Sequence, residues 1–483
     1  MISLLLSLVV LIIGYLVYGK LTEKIFAPDD RPTPAIAIND GVDCVPKKPQ
    51  KSFLVQLLNI AGTGPIFGAL MGACFGPVVF LWIIFGSILG GAVHDYMSGM
   101  ISSRHGGSSI AELSGTYLGN TARWIMRIFS VVLLVLTGTF FVTSPAALIV
   151  NLFKDAQSDI APVFLNMNTW VIIILLYYVL ATLLPIDKLI GRFYPLFALC
   201  LLASSVCLII ALFMGNVPPF LNFTTENLHP KGLPLFPLLF VTIACGAISG
   251  FHATQSPMIA RCLKDEKYGR PVFYGAMIVE GIVALIWATL GICFYPTTQH
   301  LLASINQVDA GGVVSEIAKG LLGNIGGIAT IASVVILAIT TGDTCFRSAR
   351  LCLADFLKLP QEKIRFRLIL SLVVLAGGVF LSVINVATIW RYFGWFNQTL
   401  AMCTLWLVTV YLRKAGKCFW ISLVPAVFMT AVSSAYVAYD KLFLNLSIPV
   451  AHGLGVVVAL ISLVGFLGFY KKGNLKDSSL HSE

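Results

Sequence analysis

A few ionisable side chains stand inside stretches that are otherwise apolar. Glu280 lies in Gly275-Ala-Met-Ile-Val-Glu280-Gly-Ile-Val-Ala284, with no basic residue beside it. An acid at membrane depth is costly and is a functional candidate by default. A carboxyl in poorly hydrating surroundings favours its neutral form. Glu280 can therefore take up and release a proton, or stay protonated and bond a neighbouring helix. His252 changes charge near neutral pH, which suits a proton acceptor, a solute contact or a structural hydrogen bond. His94-Asp95 and Asp343 are further candidates for proton handling or gating. Arg104 and Arg347 are the nearby arginines expected to pair with these two acids. Thr340, Thr341 and Thr344 offer oxygen ligands that suit a hard cation such as Na⁺, or ordinary hydrogen bonds between helices. Asn397 and Gln398 place two amides in a further apolar run, facing a cavity or joining two helices.

Two of the carrier stretches are broken. One reads Asn59-Ile-Ala-Gly62-Thr63-Gly64-Pro65, the other Gly246-Ala-Ile-Ser249-Gly250-Phe-His252-Ala-Thr-Gln255-Ser-Pro257. Glycine frees the backbone and proline removes a donor. Irregular backbone at membrane depth must line a cavity or be buried in protein. Half-helix ends at a break offer N–H groups to an anion and carbonyls to a cation. Gly62, Thr63, Gly64, Ser249, Gly250, His252, Gln255, Asn397 and Gln398 are accordingly the candidate solute contacts.

The elements that carry these residues follow from composition. The chain has 483 residues, 58% hydrophobic and 11% charged. A soluble domain carries about 25% charged residues, so this is a polytopic membrane protein. Apolar runs near the ~20 residues of a helical span predict thirteen helices: 2–19, 54–74, 76–101, 124–150, 168–185, 191–214, 235–260, 271–295, 325–357, 366–385, 391–412, 418–437 and 449–470. The ninth is long, and its last turns with Arg347 and Arg350 are expected to stand in water. A β-barrel, a soluble catalytic domain and a phosphate-binding loop of the G-x-x-x-x-G-K-[ST] kind are excluded by pattern.

With thirteen spans, only five of the 32 Lys and Arg fall on one side, among them Lys231, Lys319, Arg391 and Lys441; the remaining 27 fall on the other. That bias puts the N-terminus outside and the C-terminus in the cytoplasm. The net charge of +10 fits this bias and anionic lipid, and calls for no nucleic acid. Eleven scattered cysteines without a C-x-x-C pair, and seven His without an H-E-x-x-H pattern, give no zinc signature and no cofactor.

The two breaks fall in the second and seventh spans, five helices apart, so they enter from opposite faces. Spans two to six (54–214) and seven to eleven (235–412) then form two units of opposite topology. This is the pattern of an inverted-repeat, LeuT-like transporter, with residues 1–53 before the core, two helices (418–470) after it and a tail (471–483).

Several of these stretches also carry a family resemblance. Asn59-Ile-Ala-Gly-Thr-Gly-Pro-Ile66, Val93-His-Asp-Tyr96, Ser249-Gly-Phe-His-Ala-Thr-Gln-Ser-Pro257, Tyr274-Gly-Ala-Met-Ile-Val-Glu280, Thr340-Thr-Gly-Asp-Thr344 and Phe396-Asn-Gln398 resemble the carbon starvation protein A (CstA) family over about residues 1–415. The resemblance implies a bacterial inner-membrane transporter of the LeuT-like superfamily, linked to peptide uptake in nutrient limitation, with relatives that take up pyruvate by proton symport. It leaves peptide and pyruvate both open. Gly342 before Asp343 and Thr63 between two glycines depart from the family pattern and bear on ion or solute preference. Na⁺ coupling, a channel, an intramembrane enzyme and a nutrient sensor are the rival readings. The enzyme lacks a nucleophile–base pair, and the sensor lacks a signalling domain.

Overall fold

The computed structural model describes residues 2–41, 44–155, 162–183, 186–215, 224–357, 359, 363–382 and 386–469. The expected tail 471–483 lies outside the described residues. Regular structure among them is helical, apart from one isolated bridge between Lys47 and Leu263. In chain order the helices used below are α1 (Ile2–Phe26), α2 (Pro49–Ala61), α3 (Gly64–Ala73), α4 (Ala92–Arg104), α5 (Asn120–Asp155), α6 (Met167–Leu183), α7 (Ile186–Met214), α8 (Leu235–Thr242), α9 (Gly250–Ala260), α10 (Gly275–Phe294), α11 (Thr298–Leu357), α12 (Ile364–Ser382), α13 (Val386–Lys414), α14 (Trp420–Tyr439) and α15 (Ile448–Phe469).

Among the described residues, nine helices are long and apolar enough to cross a bilayer, and ten when α2 and α3 count as one bent span. The other three of the thirteen expected stretches take different forms. Residues 168–185 fall on the shorter apolar α6, 235–260 on the pair α8 and α9, and 391–412 on α13. α11 also begins earlier than expected. It turns at Asp309 (φ 62°) and Gly323 (φ 66°) before the run that matches the ninth stretch.

Burial sorts these helices into centre and rim. Within an apolar 18-residue window, 83% of the residues are buried in each of Val79–Arg104 and Glu266–Phe294, against 22% in Ile448–Gly468. The rim helices α1, α7, α12 and α15 turn Val17, Ile210, Phe380 and Ile461 outward, as a lipid-facing surface requires. Asp95 and Glu280 therefore sit on the enclosed elements, and Asp343 is itself buried on the less enclosed α11.

Both breaks form as the glycines and prolines dictate. Gly62 takes φ +46° between α2 and α3, which bend by 47°. Pro65 falls in the first turn of α3, where its missing N–H costs nothing. Residues 243–249 separate α8 from α9, with Gly246 at φ +91°. The two breaks touch: a Cβ on Gly64 would lie 2.6 Å from Cys245 Cβ and Sγ. The third span widens into a π-helical run, Gly86–Gly91, just where it passes the second break. A Cβ on Gly91 would lie 2.2 Å from the carbonyl oxygen of Ala247. Small residues thus let three backbones meet around one point.

Candidate functional site

That meeting point holds a chain of buried polar groups drawn from three elements. α4 supplies His94 and Asp95, α9 supplies His252 and α10 supplies Glu280; all four are fully buried. His94 Nδ1 lies 2.7 Å from Asp95 Oδ1, and His252 Nδ1 lies 2.8 Å from Asp95 Oδ2. The far nitrogen of His252, Nε2, faces Glu280 Oε2 at 3.4 Å. Glu280 Oε1 accepts the backbone N–H of Gly246 at 3.0 Å. An imidazole between two carboxyl groups can pass a proton from one to the other. The last carboxyl in the chain is tied directly to the unwound backbone of the second break.

The remaining candidates surround this chain at different distances. Ser249 Oγ donates to Asn397 Oδ1 at 3.1 Å, and the Phe251 N–H donates to the same oxygen at 2.7 Å. Asn397 therefore caps the N-terminus of α9 from α13. Gly250 is pressed against the backbone of Asn397 and Ala401. Gln398 donates to the Phe240 carbonyl at 2.6 Å. Gln255 donates to Thr254 Oγ1 and Ser348 Oγ, and its own oxygen makes no hydrogen bond among the described residues. A crevice lined by Gly64, Thr242, Cys245, Trp390, Phe393 and Gly394 lies beside the contact between the two breaks and is closed to water-sized molecules.

On α11 the three threonines bond mainly to their own helix. Thr340 donates to Ile336 and Leu337 carbonyls and Thr344 to that of Thr341. Thr341 donates to the Leu337 carbonyl at 2.9 Å and also stands 3.4 Å from the Leu58 carbonyl on α2, so it reaches the first broken helix. Asp343 pairs with Arg347 at 3.5 Å, as the spacing suggests.

Two expectations need correction. Asp95 does not pair with Arg104; it is taken by the two histidines, and Arg104 binds Glu266. The helix end is exposed at Asp355 and Leu357, but Arg347 and Arg350 do not stand in water, since both are buried at 5% and 4% exposure. They are packed against other helices, and Arg347 donates to the Ala181 carbonyl at 3.1 Å.

One polar face is only partly marked in the sequence. Ser52, Gln56 and Asn59 recur along one face of α2, and Thr63 follows in the break. All are buried at 1% exposure or less. Ser52 Oγ, both polar atoms of Gln56, both of Asn59 and Thr63 Oγ1 make no hydrogen bond among the described residues. Buried polar groups are nearly always paired, with protein or with ordered water, so these atoms are open to water or a polar guest. Asn59 stands in the broken motif, but nothing in the sequence marks Gln56 or Ser52.

At one end of the fold an ion-pair cluster ties the loop after α1 to α4 and to the start of the eighth stretch. Arg104 donates to both oxygens of Glu266 at 2.8 and 2.7 Å and to the Ala27 carbonyl at 2.8 Å. The Asp29 N–H also donates to Glu266 at 3.0 Å, and Lys47 N–H donates to the Cys262 carbonyl at 3.1 Å. Arg31, hydrogen-bonded to Asp29, holds that carboxyl down at about 2, so Asp29 stays charged at any physiological pH. Glu266 is 1% exposed. Removing one partner of a buried pair leaves an uncompensated charge. Arg104→Gln is expected to lower stability by about 3 kcal/mol, the lower end of that range, because Arg31 stays 4.0 Å away. Thermal unfolding of the purified variant checks this; an unchanged midpoint would mean that Arg31 alone suffices.

A family model described as carbon starvation protein CstA matches residues 1–159, 139–321 and 303–435. The peptide transporter CstA of Bacillus subtilis (strain 168) is 28% identical over 566 aligned positions, covering 96% of this chain and 94% of that protein. An uncharacterized membrane protein of Haemophilus influenzae is 44% identical over 341 residues, covering 62% of this chain and 92% of that protein. The peptide transporter CstA of Escherichia coli (strain K12) is 26% identical over 88% of this chain and 78% of its own length. Among solved structures, the crystal structure of MhsT in complex with L-phenylalanine superposes with a TM-score of 0.55 at 13% identity. It covers 86% of this chain and 97% of that one. At that identity the likeness speaks for the fold, and it agrees with the LeuT-like architecture expected from the two breaks.

Proposed function

This chain belongs to the carbon starvation protein CstA family, and from that premise we propose that it is a symporter importing a small carboxylate-bearing nutrient on the proton gradient. It is a multi-pass membrane transporter and not an enzyme. The solute is a peptide or pyruvate, taken up in nutrient limitation. The first class is in keeping with relatives named peptide transporters, the second with the family resemblance. In this reading the protein lies in the bacterial inner membrane, N-terminus outside and C-terminus in the cytoplasm, which the distribution of Lys and Arg supports. Residues 54–214 and 235–412 are the two inverted units, with 1–53 before them, 418–470 after them and the tail 471–483 in the cytoplasm.

One observation carries proton coupling: Glu280 faces His252 with one oxygen and accepts from Gly246 in the second break with the other. A hydrogen bond to an ionised carboxylate is roughly twice as strong as one to a neutral group. Loading or releasing a proton at Glu280 therefore changes how firmly the break is held. His252, Asp95 and His94 extend the route, and Asp343 with Arg347 forms a gating pair. The solute enters the crevice between Gly64 and Cys245 as the breaks part. Gly62, Thr63, Ser249, Gln255 and the amides of Asn397 and Gln398 stand around that opening.

A second reading is Na⁺ coupling, favoured by Thr341, whose hydroxyl stands 3.4 Å from the Leu58 carbonyl on the first broken helix. The test is uptake of labelled pyruvate and of a labelled dipeptide into liposomes holding the purified protein. An inward proton gradient without Na⁺ is expected to drive accumulation that vanishes when the gradient is collapsed. Accumulation only with an inward Na⁺ gradient, lost in Thr341→Val, would replace the proton with sodium.

A further inference from the structure

We propose that Cys245, His252 and Glu280 form a binding site for one divalent transition-metal ion of the zinc class. Cys245 Sγ, an imidazole nitrogen of His252 and a carboxylate oxygen of Glu280 all lie within 4.8 Å of one another, and all three residues are buried; His252 Nε2 and Glu280 Oε2 stand 3.4 Å apart. Neither His252 Nε2 nor Glu280 Oε2 makes a hydrogen bond among the described residues. Two buried polar atoms that face each other at 3.4 Å thus stand beside a thiol.

The donor set selects the class of ion. Thiolate sulfur excludes hard ions such as Mg²⁺ and Ca²⁺, while sulfur, imidazole nitrogen and carboxylate oxygen together suit zinc and its neighbours. At zinc bond lengths tetrahedral ligand atoms stand about 3.5 Å apart, so atoms within 4.8 Å of one another need to close in by up to about 1.3 Å. Three protein ligands leave the fourth position for water or a solute carboxylate.

Each ligand is also held from behind. Asp95 Oδ2 holds His252 Nδ1 at 2.8 Å, which leaves Nε2 as the coordinating nitrogen. The Gly246 N–H holds Glu280 Oε1 at 3.0 Å and leaves Oε2 free to coordinate. Ser249 Oγ and Asn397 Nδ2 flank the sulfur at 3.5 and 3.9 Å. Such outer partners orient metal ligands and tune them. The linear sequence hides the site, because its ligands fall seven and 28 residues apart and follow no zinc spacing.

On binding, the Cys245 S–H bond gives way to a sulfur–metal bond, and its proton, together with any proton carried by Glu280 or by His252 Nε2, is released to solvent. The ion then joins the unwound stretch, α9 and α10 into one rigid unit. It occupies the atoms that the proposed proton route uses, so metal and transport exclude each other.

The test uses the full-length protein in detergent and Co²⁺ as a spectroscopic probe, and it does not depend on the transport reading. Titration is expected to saturate at one equivalent per chain, with a sulfur-to-cobalt charge-transfer band and the visible bands of a tetrahedral ion. Cys245→Ser, shown by gel filtration to be folded, is expected to lose the charge-transfer band. Asp95→Asn is expected to keep the band and bind about 10- to 100-fold more weakly. Absence of the band in wild type, or its survival in folded Cys245→Ser, overturns the site. If Cys245→Ser does not fold, unchanged affinity in Asp95→Asn does so. Either failure leaves proton symport standing, because uptake is not what is measured.

Discussion

Glu280→Gln is expected to abolish accumulation of solute against its gradient while sparing exchange of solute across the membrane. Glutamine keeps the length of the side chain, and its carbonyl can still accept from Gly246 N–H, now held at 3.0 Å by Glu280 Oε1. Its amide can still face His252, now 3.4 Å from the carboxyl. What it cannot do is carry a proton. The breaks then still open and close around solute, but the cycle has no downhill partner. In proteoliposomes with an imposed proton gradient, the internal-to-external ratio of labelled solute is expected to fall to unity. Counterflow with preloaded vesicles is expected to stay near the wild-type rate. Equal accumulation by mutant and wild type would remove Glu280 from the coupling route. Loss of exchange as well would make it a structural group.

The second large effect is expected at Gly91, a residue with no charge of its own. A Cβ there would lie 2.2 Å from the Ala247 carbonyl oxygen and 3.1 Å from Met277 Cε. The first neighbour is backbone inside the second break and cannot turn aside. Gly91→Ala must push the third span away from that break, and with it Asp95 from His252. Overpacking of this kind costs about 1–3 kcal/mol, and sometimes more. Gly453→Ala on α15, where a Cβ meets nothing within 4 Å, is the control. A lower unfolding temperature and lost uptake are expected for Gly91→Ala only. Equal melting of the two variants would mean that the three backbones meet more loosely than their spacing implies.

Both breaks were legible because glycine and proline act locally. Gly62, Pro65 and Gly246 announce their effect on the chain without reference to any neighbour. The Asp343–Arg347 pair was legible for the same reason, since four residues make one turn. Asp95 and Arg104 misled because they are nine residues apart, about two and a half turns of helix, which sends them to opposite faces. One then meets His252 and the other Glu266. Arg347 and Arg350 looked wet because charge in a long apolar run suggests an exit from the bilayer. Their burial depends on helices that come from elsewhere in the chain. The link from Asp95 to His252 spans 157 residues, and no local pattern encodes it. Gln56 was invisible because a polar residue near the end of a span is unremarkable until its surroundings are known to offer it nothing.

That unpartnered face of α2 bears on the balance between conformers. A buried donor or acceptor without a partner costs about 1–3 kcal/mol. Ser52, Gln56, Asn59 and Thr63 together bring six such atoms to the closed arrangement. Hydration of that face would return part of the cost, offsetting the apolar packing given up when α2 moves. A solute that pairs with these atoms in one arrangement and not in the other shifts the population toward the first by as much as its affinities for the two differ.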